Sequence, residues 1–237
     1  MRRPGRGLGI AALAVLMAGL LMAAGGALVP RLLYRAASYS GSAMAPTYTK
    51  GDLVLFRKDP AEVRRGDVVL VTVGAMDGGE DPGGPVVERV VAVGGDTIAY
   101  EPGASRLMLN GRPLDEPYVK DGEPTAGSPG PLSVTVPQGR VFLLGDNRGN
   151  SADSRFRLRT TPGGTAPVAQ VLGVALPQEE TLRVGVLYGW LIIVGVLALL
   201  ASAVLGVVWL VLRRRRPAVQ GPVRAAATAE PAGPAHP

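Results

Sequence analysis

Cysteine is absent from the 237 residues, and histidine occurs once, as His236. The first absence excludes disulfides and thiol nucleophiles. The second excludes a Ser-His-Asp triad and a histidine-bearing zinc site. His236 sits in a stretch rich in Ala and Pro, residues 217–237, whose composition predicts a disordered tail. Lysine is scarce too, present only as Lys50, Lys58 and Lys120. Hydrolytic chemistry would therefore have to use serine, threonine, lysine or carboxylates, and the chain is expected to need no metal and no cofactor.

Charge is missing from two long stretches, residues 7–29 and 184–212. A helix rises about 1.5 Å per residue and the hydrocarbon core is about 30 Å thick, so each run can cross it. The second run carries Tyr188, Trp190 and Trp209 toward its ends, where amphipathic rings favour the interface. The first run follows Arg2, Arg3 and Arg6 and ends near LMAAGGA, which also fits a cleavable secretory signal. Its length favours a retained anchor. The predicted segments are a basic N-terminus (1–6), a first span (7–30), a middle domain (34–183), a second span (184–212) and a basic tail (213–237).

The middle domain holds 16 Lys plus Arg and 18 Asp plus Glu, a net of −2, while the whole chain is +6. The excess positive charge flanks the spans on their far sides, mainly as Arg2, Arg3, Arg6 and the arginines at 213–216. By the positive-inside rule both termini are cytoplasmic and the domain lies outside the cytoplasmic membrane. The pI near 10.0 then follows from topology, the lipid bilayer is the partner it implies, and no nucleic-acid partner is expected.

Within the domain, short valine-rich segments at 53–56, 67–73, 86–93, 133–136 and 141–144 are punctuated by Gly, Pro and Asp. No helical period is sustained outside the apolar runs. The expected fold class is an all-β ectodomain with two transmembrane helices. Residues 74–85 (GAMDGGEDPGGP) and 121–131 predict loops.

The densest cluster of chemistry is residues 145–156, GDNRGNSADSRF. It offers two acid–base pairs, Asp146 with Arg148 and Asp153 with Arg155, arranged around Ser151. Upstream, in order, stand SGSAMAPT (40–47), KGDLVLFRK (50–58), RGDVVLV (65–71), ERVVAVGGD (88–96) and LNGRPLDEPYVKDG (109–122). Together these boxes resemble the type I signal peptidases, membrane serine proteases with a Ser-Lys dyad that trim leader peptides from exported proteins. The second, C-terminal span is similar to that of some actinobacterial members. The resemblance implies a signal-peptidase-like β fold and signal peptides of exported preproteins as partners. It also implies that Ser151 bonds the catalytic lysine, that the acid–arginine pairs brace the loop, and that the region of Met44 and Pro46 lines shallow substrate pockets.

Aligned on Met44, Pro46 and Thr47, the nucleophile position of the resembled family holds Ala43. Aligned on Arg89 and Asp96, the lysine position holds Glu88. Alanine offers no nucleophile. A glutamate side chain, which ordinarily titrates near pH 4.3, is a far weaker base than a neutral amine. The resemblance then implies a signal-peptide-processing protein that is weakened or inactive. Two alternatives stand beside it. Ser42 could act as a shifted nucleophile, with a bulge restoring its direction. The chain could otherwise be a non-catalytic binder of exported segments, or a modulator of an active paralogue. In every case Glu88 is expected on a strand, close to Ala43.

Overall fold

A computed structural model describes residues 6–59, 62–72 and 84–214. Nearly all of the expected N-terminal segment, most of the expected 74–85 loop and the tail beyond Arg214 lie outside the described residues. The described chain forms two helices, α1 (Arg6–Leu33) and α2 (Gln178–Arg214). Both run past the uncharged stretches that announce them. In α2 the extra turns have an electrostatic cause. Glu179 and Glu180 occupy the first turn, at the positive end of the helix dipole, and Arg213 and Arg214 the last. Both helices are long and apolar enough to cross a membrane. Their large side chains are bare: Leu197 and Leu200 are each 59% exposed. A bare apolar surface of this kind suits a hydrocarbon solvent.

The described residues fall into two compact units. One joins α1 up to Leu21 with α2 from Gly195. There the hydroxyl of Ser202 donates to the carbonyl of Ala12 at 2.9 Å. A Cβ added to Gly19 would stand 3.0 Å from the Gly195 carbonyl oxygen, so small residues set the approach.

The other unit, Met22 to Val194, carries the β domain. Its strands are β1 (Tyr34–Ser38), β2 (Leu53–Arg57), β3 (Val68–Thr72), β4 (Pro85–Val93), β5 (Thr97–Tyr100) and β6 (Met108–Leu109). There follow β7 (Arg112–Pro113), β8 (Leu132–Thr135), β9 (Arg140–Leu144), β10 (Ala166–Pro167) and β11 (Val171–Ala175). A seven-stranded sheet runs β1-β2-β11-β3-β4-β9-β10, and a four-stranded sheet β7-β6-β5-β8. Neighbours pair antiparallel throughout. Among the described residues the domain is all-β, with only single turns of 3-10 helix between strands. All five valine-rich segments form strands. The short β6, β7 and β10 escape a pattern search because two residues cannot show a period.

Side chains alternate along β3. Val69 and Val71 enter one apolar cluster with Val90, Val141 and Leu143. Val68 and Leu70 enter another with Val54, Phe56 and Met44. A register shift between Val90 and Ala92 interrupts the β4–β9 ladder. Beyond it Val91 and Ala92 join Phe142, Leu144, Ile98 and Leu132, which seal the large sheet against the small one. Phe142 is fully buried at that seam. Phe142→Ala is expected to cost about 3–5 kcal/mol of stability, read as a lower chemical-unfolding midpoint of the purified protein. An unchanged midpoint would show that the two sheets do not depend on this contact.

Candidate functional site

The loop from Gly145 to Phe156 is built on arginines that are almost wholly buried. Arg148 and Arg155 are each 1% exposed. A buried guanidinium is tolerable only when its donors are matched. Arg155 meets Asp153 through Nε to Oδ1 at 2.8 Å and Nη2 to Oδ2 at 2.9 Å, and also donates to the carbonyls of Arg148 and Ala126. That pair is the one the sequence suggests. The other is not. Arg148 turns away from Asp146 to Glu116, with Nη2 2.6 Å from Oε1, and donates to the carbonyls of Gly145 and Pro124.

Asp146 is instead held by Arg89 of β4, Nε to Oδ1 at 2.8 Å and Nη2 to Oδ2 at 2.6 Å, and by the hydroxyl of Thr47. Arg89 also lies 3.9 Å from the centre of the Tyr118 ring. Proximity in sequence suggested an Asp146–Arg148 pair. Tertiary packing chose otherwise, because β4 aims Arg89 at Asp146 while the loop carries Arg148 toward Glu116. Glu116, Thr47 and Tyr118 are therefore part of the site's frame. Sequence reasoning passed over them because the partners of Glu116 and Thr47 stand 32 and 99 residues away.

This frame brings Ala43, Glu88 and Ser151 together. Ser151 Oγ is 3.3 Å from Glu88 Oε1. Gly145 stands between Ser151 and Ala43. A Cβ there would lie 2.6 Å from Ser151 Cβ and 2.7 Å from the Ala43 carbonyl oxygen, so only glycine fits. That carbonyl accepts the Asn147 N–H at 2.8 Å. Glu88 is on β4, as expected, and is 4% exposed. Burial pushes its carboxyl well above the usual range. The charge of Asp153 pushes the same way, while the Ser151 bond and Arg157 oppose.

Beside these residues opens a mainly apolar cleft of about 520 Å³, bounded by Ser38, Tyr39, Ser40, Ala43, Val87 and Glu88 among others. Two expected substrate contacts stand elsewhere. Met44 is fully buried in the core, and Pro46, after a cis peptide bond, is exposed in the turn; neither lines the cleft. The apolar neighbours of Met44 draw it inward, and Tyr39 takes the wall instead. The Tyr39 hydroxyl accepts the Met44 N–H at 2.9 Å. Ser42 also lies off the cleft, exposed, with its Oγ accepting from Asn150 Nδ2 at 2.7 Å. Of the three lysines none lines the cleft. Lys58 is bonded to the Arg31 carbonyl. No cluster of metal-binding side chains occurs among the described residues.

A β domain joined to apolar helices, with an extended cleft beside a buried ionic loop, has the build of a membrane-attached, peptidase-like protein. The chain belongs to the signal peptidase family, peptidase S26, whose family model matches residues 10–177. A probable signal peptidase I of Mycobacterium leprae (strain TN) is 35% identical over 159 residues, 53% of this chain and 53% of its own. The signal peptidase I of Mycobacterium tuberculosis (strain ATCC 25618 / H37Rv) is 38% identical over 152 residues, 53% of this chain and 50% of its own. The chain thus spans about half the length of these mycobacterial relatives. A crystal structure of a signal peptidase I from Enterococcus faecalis V583 is similar at 27% identity and a TM-score of 0.36, covering 48% of this chain and 96% of that one.

Two outcomes test the frame. In a double-mutant cycle, Arg148→Met and Glu116→Gln are expected to couple by about 1–3 kcal/mol, and Arg148→Met and Asp146→Asn much less. The reverse ranking would restore the pair suggested by sequence. For Glu88 the sign follows from proton binding. The unfolded chain releases this proton near pH 4.3 while the folded site keeps it. Stability therefore falls as pH rises above that value, by up to about 1.4 kcal/mol per unit until the folded site ionises. Glu88→Gln removes this titration. Its thermal midpoint relative to the parent should rise as the pH increases above about 4.3. A difference that stays flat would mean that Glu88 is ionised in the fold.

Proposed function

We propose that this chain handles the signal peptides of exported preproteins as a signal peptidase homologue whose cleavage activity is weakened or lost. The observation that supports this best is the set of groups assembled at the cleft. A methyl group, that of Ala43, stands at the aligned nucleophile position. A buried carboxyl that holds its proton, that of Glu88, stands at the aligned lysine position. Acyl transfer at serine needs a hydroxyl oxygen and a group that accepts its proton. A neutral carboxyl is no base, and a methyl group is no nucleophile. In the proposed arrangement Ser151, Asp146, Arg148, Asp153 and Arg155 support the site without reacting.

The shifted-serine alternative is not favoured by the geometry, since Ser42 Oγ is bonded to Asn150 and lies away from Glu88's cleft. The persistence of an apolar cleft favours binding without turnover. A non-catalytic holder of exported segments, or a modulator of an active paralogue, is the form this takes. The flanking arginines favour cytoplasmic termini and a β domain on the outer side, by the positive-inside rule.

Full-length protein in detergent micelles is expected to leave a preprotein with small residues at −3 and −1 uncut. Ala43→Ser or Glu88→Lys alone should restore little, because nucleophile and base act as a unit worth up to about 10⁶ in rate in serine proteases. The double variant should cut more than the product of the two single effects, with burial lowering the pKa of the new amine. Cleavage by the unmodified protein that disappears in Ser42→Ala would overturn the proposal.

A further inference from the structure

Where α1 gives way to β1, the chain gathers cations at the depth at which an apolar helix leaves hydrocarbon. Arg31 ends the helix, Arg35 follows on β1, and Arg57 and Lys58 close β2; all four are exposed. The pairing of Tyr34 with Arg57 brings the two strand ends side by side. Lys58 is tied to the helix end through its N–H to the Leu33 carbonyl at 2.9 Å and its ammonium to the Arg31 carbonyl. Arg31 Nη1 reaches back to the Ala27 carbonyl at 3.3 Å. These two cations complement the negative end of the helix dipole. Arg35 and Arg57 have no such duty. Among the described residues neither takes part in an ion pair or a side-chain hydrogen bond.

Between the strand ends opens a cleft of about 440 Å³, lined by Leu32, Leu33, Tyr34, Arg57, Lys58 and Asp59. Its chemistry is split. One wall is cationic, with Asp59 as its single carboxylate. The other is aliphatic, with Leu32 72% and Leu33 49% exposed. A free phosphate would satisfy the first wall and leave the second bare.

We infer that this cleft seats the headgroup of an anionic phospholipid, in the leaflet on the side of the β domain. The phosphodiester lies between Arg57 and Lys58, and an acyl chain runs along Leu32 and Leu33. Juxtamembrane basic residues each add to the attraction for anionic lipid, and a pocket that joins such charge to an apolar wall selects one molecule. The site is separate from the peptide cleft, so it stands whether or not the chain cleaves anything.

The experiment uses full-length protein in which Arg2, Arg3, Arg6, Arg213, Arg214, Arg215 and Arg216 are changed to Gln, removing the other two basic clusters. Phosphatidylglycerol or phosphatidylcholine is titrated in, and retained lipid is counted by native mass spectrometry. One phosphatidylglycerol should be retained with at least about tenfold preference. Arg57→Gln should lower its affinity about fivefold, and adding Lys58→Gln, the other cation of the cleft, should lower it further by a similar factor. Arg112→Gln, an exposed arginine elsewhere on the domain, should change nothing. Thermal unfolding checks that the variants remain folded. No preference for phosphatidylglycerol would overturn the inference, as would a preference unchanged in the Arg57/Lys58 variant. Displacement of the lipid by millimolar glycerol 3-phosphate would show a simple anion site instead and would equally overturn it.

Discussion

Two fully enclosed guanidinium groups govern the shape of this protein's site. Arg148 and Arg155 cannot leave water unless each donor finds an oxygen, and the oxygens they find lie on Glu116, Asp153, the loop's own carbonyls and those of Pro124 and Ala126. Breaking one such contact would strand a charge in the interior at a cost of several kcal/mol. The loop is thus held in one conformation, and Arg89 fastens its first residues to β4 through Asp146. The contact of Gly145 with Ser151 and Ala43 follows from this frame, and so does the placing of Ser151 against Glu88.

The frame is the part of the site that a protease would need and a non-protease could keep. Ion pairs of this kind fix geometry and take no part in moving a proton. They can persist after the reacting groups are gone, as long as the fold is retained. Glu88 shows the other side of the same physics. Burial and the nearby charge of Asp153 both favour its protonated form over the carboxylate. The environment that would make a lysine a usable base by favouring its neutral form makes a glutamate an inert acid by favouring its neutral form. One pocket therefore gives opposite outcomes with the two residues.

Attachment to the bilayer and the shape of the β domain meet at the end of α1. Lys58 and the Leu33 carbonyl tie the helix terminus to β2, so the edge of the seven-stranded sheet is fixed relative to the last helical turn. The same junction crowds positive charge at the end of an apolar helix. A short, well-bonded connection of this kind transmits the position of the helix directly to the strands that border the peptide cleft, since β1 leads straight to Ser38, Tyr39 and Ser40.

The sequence by itself determined the elements whose signal is local. Two uncharged runs foretold α1 and α2, since length and apolarity alone decide whether a helix can cross hydrocarbon. Valine-rich segments bounded by Gly and Asp foretold β2, β3, β4, β8 and β9, because β-branched residues and turn formers act within a few residues of themselves. The ordered boxes foretold the family, the valines around Glu88 foretold its strand, and the resemblance implied its place near Ala43. The Asp153–Arg155 pair was legible too, but tertiary structure alone decided the partners of Asp146 and Arg148. Asp146 has an arginine two residues away and takes one 57 residues away, because β4 aims Arg89 at it while the loop turns Arg148 toward Glu116. It also decided that Met44 faces the core while Tyr39 faces the cleft, a choice made by which side chains fill the space between β2 and β3. Sequence spacing fixes which groups are near along the chain; only packing fixes which of them meet, because burial penalises every polar atom that does not.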